Sequence, residues 1–87
     1  MLNRTKEYLD LINEDALFPD DFDEALIGFV EGASRMPVAL YDSDKCIRIL
    51  IERDGMDLGE AEEFFYFNLV SSYMGENTPL FATLLNE

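Results

Sequence analysis

The stretch EEFFYFNLVSSYMGENTPLF places four aromatic residues in succession, Phe64, Phe65, Tyr66 and Phe67, followed by an amide, Asn68. Its pattern predicts a helix running from about Leu58 to Met74 and stopping at Gly75. Successive helix residues turn by ~100°, so the four rings point around the whole circumference. A surface helix needs one wet face. Here the wet residues, Glu60, Glu62 and Glu63, cluster near the start. A chain of 87 residues has few layers with which to surround a helix completely. The run therefore has two readings. Either this is the central helix of the domain, or one ring face is covered by a partner, with a symmetric homodimer the commonest case.

The flanking sequence supports the helix. Asp57 with Glu60 three residues later is an acidic variant of the capping box. Leu58, Ala61, Phe65, Leu69 and Ser72 form one row. Phe64, Phe67 and Asn68 lie on other sides. Asn68 reads as a partly exposed amide or one bonded to loop backbone; its alternative is a contact for a ligand or partner. Ser71 and Ser72 are small enough to let another segment approach.

Upstream elements follow from punctuation. Residues 3–13 read as a helix with Leu9 and Ile12 on one face, flanked by Leu2, Tyr8 and Leu11. NEDALFPDDFDE is an acidic loop. Phe22, Ala25, Leu26, Phe29 and Val30 fit helical spacing, but Gly28 and Gly32 weaken a helix. Pro37 before Val38-Ala39-Leu40-Tyr41 reads as a short buried strand. A β-hairpin with strands near 25–31 and 37–41 around a GASRM loop is favoured over a helix at 21–32. Asp42 or Ser43 caps a helix over SDKCIRILIERD, with Asp44 in its first turn, where the helix dipole favours negative charge. Gly55 supplies the left-handed residue that ends it. The tail TPLFATLL is apolar and extended at Thr78-Pro79, suited to a third strand or an irregular arm. The expectation is one α+β domain over residues 1–87: an N-terminal helix, a β-hairpin, two helices and an apolar C-terminal arm. The alternative is a small all-α bundle.

Composition narrows function. Apolar content of 48% is enough for a core despite the charge. Nineteen acidic residues against six basic ones give −13. That balance opposes binding to nucleic-acid backbone or to anionic membranes, and suits a partner with a basic surface. No apolar run approaches the ~20 residues of a membrane span. Nor does the N-terminus read as a signal peptide, so a cytoplasmic protein is expected. Histidine is absent and Cys46 is the one cysteine. That excludes an intrachain disulfide and removes the commonest general base and metal ligand. Cys46 shares an apolar face with Ile49 and Leu50 and reads as a buried small hydrophobe. PDDFDE lacks the glycine and ligand spacing of a calcium loop. No catalytic residue, metal or cofactor is expected.

From Tyr41 onward the chain resembles a family of small uncharacterised proteins of tailed bacteriophages and prophages. The shared features are Tyr41-Asp42, Lys45-Cys46, Leu50, Gly55-Met56, Glu60-Ala61, Phe64-Phe65, Phe67-Asn68, Gly75 and Thr78-Pro79. Tyr66 stands where the pattern has an acidic residue, Ser43 where it has an aromatic, and Ser71 where it has glycine. The resemblance implies a phage or prophage origin and brings no catalytic residues. Together these readings point to a binding protein that engages a host or defence protein. Its contacts would be a basic partner surface, or the apolar anchors Phe64, Tyr66, Phe67 and Phe81, with Asn68 beside them. Self-association in a phage particle, or a small-molecule pocket between hairpin and aromatic helix, are the alternatives.

Overall fold

The glycine-containing segment at 26–32 is a strand. In the computed structural model, which describes residues 4–85, it forms β1 (Leu26–Gly32) and pairs antiparallel with β2 (Arg35–Asp42). The turn between them is only Ala33-Ser34, tighter than the five-residue GASRM loop read from sequence. Ser34 closes it by taking a left-handed conformation, φ 63°. Both strands consequently extend further into the turn than expected. Pro37 sits where the β1 register shifts, and before the stretch that the third strand pairs. That is a place where a missing N–H is tolerated.

Before the hairpin come α1 (Arg4–Ile12) and a single 3₁₀ turn, Asp23–Ala25. After it come α2 (Ser43–Asp54) and α3 (Leu58–Phe65). The capping residues act as their chemistry dictates. Asp42 accepts from the Lys45 N–H at 3.2 Å. Gly55 ends α2 at φ 71°, its N–H donating to Ile51 O at 3.2 Å. Asp57 and Glu60 form the reciprocal capping box, at 2.8 and 3.0 Å.

The third helix departs from expectation. It does not continue to Met74: α geometry ends at Phe65 and gives way to a π turn, Tyr66–Val70. The Ser71 N–H bonds Tyr66 O five residues back, and the Ser71 hydroxyl donates to the same carbonyl at 2.7 Å. The chain then turns at Gly75, φ 97°, and enters β3 (Leu80–Ala82). β3 lies parallel to β2, with Tyr41 opposite Phe81. The apolar tail is thus a third strand. α2 and α3 form the crossover that a parallel pair requires. The three-stranded mixed sheet, order β1-β2-β3, with its helices is an α+β fold; the all-α alternative is excluded by the hairpin.

One apolar cluster joins these elements: Leu9 of α1, Phe22 and Ala25, Leu26, Ala39 and Tyr41 of the sheet, Cys46 and Leu50 of α2, and Ala61 and Phe65 of α3. Phe81 closes it, 5.6 Å from the Tyr41 ring and edge-on to Phe65 at 5.3 Å. No helix among the described residues is long and apolar enough to cross a membrane.

Candidate functional site

Of the four successive rings, one belongs to the core. Phe65 is fully buried, whereas Phe64, Tyr66 and Phe67 are 39%, 50% and 75% exposed. The row read from sequence explains the choice. Ala61 and Phe65 lie in the core cluster, and Leu69 packs partly against it. Leu58, at the start of that row, is exposed. Burying Phe65 is worth ~1.5–3 kcal/mol, and nothing among the described residues covers the other rings to a like extent.

Three depressions touch the π turn; one, of about 300 Å³, runs from Val70 and Tyr73 to Arg35 of the hairpin and holds none of the candidate contact residues Phe64, Tyr66, Phe67, Asn68 and Phe81, and the other two meet at Asn68. A shallow groove of about 330 Å³ is lined by Met56, Glu60, Glu63, Phe64, Phe67 and Asn68. A more enclosed, largely apolar cleft of about 300 Å³ lies between the loop at Leu17–Asp20, the π turn with the segment after it, and the end of the chain at Thr78–Phe81. Asn68 lines both. Its amide Nδ2 donates to Phe64 O at 3.1 Å, tying the π turn back to α3. The structure therefore brings Phe64, Phe67 and Asn68 together and places Phe81 across Asn68 in the second cleft. Tyr66 lines neither; its ring rests edge-on against Phe65 at 5.0 Å. Phe81 differs from the exposed anchors expected of it, because pairing with β2 half-buries it against Tyr41 and Phe65.

The electrostatics are one-signed. Between Asp54 and Leu85 the chain holds Asp54, Asp57, Glu60, Glu62, Glu63 and Glu76 and no lysine or arginine. Neither groove is lined by a basic side chain. Lys6 stands over the Phe18 ring at 5.2 Å, but its ammonium pairs with Asp23 at 3.0 Å.

The acidic loop is used structurally. Phe22 is buried at its centre and Asp23 pairs with Lys6. Arg53 donates to Asp21 O at 2.6 Å and lies 5.2 Å over the Phe22 ring. Among the described residues no group of three His, Cys, Asp or Glu is placed to hold a metal ion. Cys46 is buried; burial, reinforced by Asp42, pushes its thiol up to about 12, so it stays protonated near neutrality and is no nucleophile. Burial likewise raises the Tyr41 phenol, with smaller contributions from Asp23 and Cys46.

Sequence reading missed Asn13. It is buried, and its amide donates to Pro37 O at 2.8 Å and to Asn77 Oδ1 at 2.9 Å. It fixes the turn at 75–78 that forms one end of the second cleft.

No known protein family, curated protein or solved structure matches this chain.

Proposed function

We propose that this chain is a binding protein without catalytic chemistry, docking a protein partner with a basic surface through the exposed face built by Phe64, Phe67 and Asn68, with Tyr66 at its flank. The observation that carries this reading is the exposure of Phe64 and Phe67 beside one groove, while Ala61 and Phe65 are spent on the core. Contiguous exposed aromatics rimmed by polar groups mark interaction surfaces, and aromatics dominate interface hot spots. The carboxylates around them, unrelieved by any lysine or arginine from Asp54 to Leu85, select for positive charge opposite. The resemblance to small phage proteins supplies a setting: the host cytoplasm, with a host or defence factor as partner. A basic, nucleic-acid-binding surface would be masked by such a protein.

A second copy of the chain is the competing occupant, in a homodimer or a phage-particle assembly. Self-pairing through this face would set Glu60 and Glu63 near their own equivalents, a like-charge cost that a basic partner avoids. The charge pattern therefore favours the basic partner.

Capture from host lysate tests the reading. Wild-type protein is expected to retain a partner that Phe67→Ala loses and Leu11→Ala keeps. Leu11, 86% exposed on α1, controls for general stickiness. Affinity for the purified partner is expected to fall steeply with salt, because exposed charges are screened beyond ~10 Å at 0.1 M. Salt-independent binding rejects the masking of a basic surface. Equal capture by Phe67→Ala rejects the aromatic face.

A further inference from the structure

We infer that the groove at Phe64 and Phe67 and the cleft at Phe18 and Phe81 form one docking track, joined at Asn68, for a basic amphipathic helix of the partner. This rests on the reading above and specifies what the partner presents.

Three observations carry it. First, the two depressions share a wall residue: Asn68 lines both. Second, each has apolar residues and acid. Met56, Phe64 and Phe67 lie with Glu60 and Glu63 in the groove. Leu69, Met74 and Phe81 lie with Asp20 in the cleft. Third, the Asn68 Nδ2 is turned inward to Phe64 O, which leaves its Oδ1 as an acceptor at the junction.

An amphipathic helix satisfies all three. Its anchors at i, i+3 or i+4, and i+7 enter successive pockets, while flanking lysines and arginines reach acids at both ends. An added β-strand fits less well. The strand beside the cleft, β3, is three residues long and offers a short template. The groove of about 330 Å³ and the cleft of about 300 Å³ each have room for more than one apolar side chain.

The methionines provide the test. Met56 reports on the groove and Met74 on the cleft. Met36, on β2, lines neither and serves as the internal reference. The intact protein, carrying ¹³C-methyl methionine, is titrated with synthetic helical peptides of about five turns. The panel carries Leu, Ile or Phe at i, i+4 and i+7, with lysines on the flanks. Controls are the same compositions scrambled, and versions with Glu for Lys.

The inference predicts that Met56 and Met74 signals shift together on one saturation curve for at least one patterned peptide, with Met36 unmoved. The scrambled control should bind at least about ten-fold more weakly, the equivalent of one step on the affinity scale. Glu63→Lys and Asp20→Lys, both exposed positions, should each weaken binding several-fold. Glu52→Lys on α2, lining neither depression, should not.

If Met56 shifts and Met74 does not, the single track is wrong while the aromatic face stands as a basic-partner site. Equal binding of scrambled peptides overturns the helix and leaves charge attraction alone. If no peptide in the panel shifts either methyl, the helical track fails, while the basic-partner reading is decided by the lysate capture and its salt dependence.

Discussion

Removing the Asn13 side chain should cost this protein a large share of its stability, because two distant pieces of chain, at Pro37 and Asn77, converge on one buried amide. Asn13 donates to Pro37 O at 2.8 Å and Asn77 Oδ1 at 2.9 Å, and accepts from the Asp15 N–H at 3.2 Å. The adjoining bond from the Leu17 N–H to Asn77 O, 3.2 Å, depends on the same alignment. Asn13→Ala deletes three hydrogen bonds, each worth ~1 kcal/mol net. Pro37 and Asn77 are only partly buried, so water re-satisfies some of what is lost. The expected loss is ~2–3 kcal/mol, against a total of ~5–15 kcal/mol for a native domain. For a domain of this size that lowers Tm by roughly 10–20 °C. Urea unfolding followed by circular dichroism gives the free energy, and a thermal melt gives the shift. Asn77→Ala and the double mutant complete a cycle, in which a coupling of about 1 kcal/mol is expected for direct partners. A loss for Asn13→Ala below ~0.5 kcal/mol, or a coupling indistinguishable from zero, would refute the convergence argument.

Other positions yield further expectations. Tyr41 is fully buried, and its hydroxyl has no hydrogen-bond partner among the described residues. Tyr41→Phe should therefore raise stability by about 1 kcal/mol in the same urea assay, and a comparable loss would mean the hydroxyl is bonded. Ser34 holds φ 63° in the hairpin turn, a conformation that costs a non-glycine residue ~1–2 kcal/mol. Ser34→Gly should raise the urea midpoint, and a lowered one would remove that account of the turn. The Cys46 pKa is raised on folding, so its contribution is fully present below the ordinary 9.0 and is lost as pH climbs toward about 12. Stability should fall above pH 9, at up to ~1.4 kcal/mol per pH unit for this group. In Cys46→Ala the decline should begin only near the ordinary tyrosine value of 10.0, where Tyr41 adds a loss of the same sign. Unchanged pH profiles would contradict the burial argument.

Local chemistry explains what was legible beforehand. The start and end of α2 and the start of α3 were readable because Asp42, Gly55 and Asp57 act on backbone groups within a few residues. The hairpin was readable because glycines and Pro37 argued against a helix, although the turn proved shorter once Ser34 took the left-handed region. The row of Leu58, Ala61, Phe65 and Leu69 was also visible, but not that Ala61 and Phe65 are its fully buried members while Leu58 is exposed. The π turn had no such signal, because one extra residue per turn leaves the composition unchanged. Asn13 was silent because its partners Pro37 and Asn77 lie 24 and 64 residues away. The half-burial of Phe81 was silent for the same reason: only the parallel pairing of β3 with β2 brings it to Tyr41. For the candidate face, Phe64, Phe67 and Asn68 were legible, but their meeting with the cleft behind Phe81 was not.

The measurement that bears most directly on what covers the aromatic face is solution mass by light scattering, over a dilution series at low and high salt, for wild type and Phe67→Ser. The account predicts a wild-type monomer at low salt, where the like charges of two copies repel most strongly. Any association should appear only as salt rises. A stable low-salt dimer that Phe67→Ser dissociates would contradict it, and would give the face to a second copy of the chain.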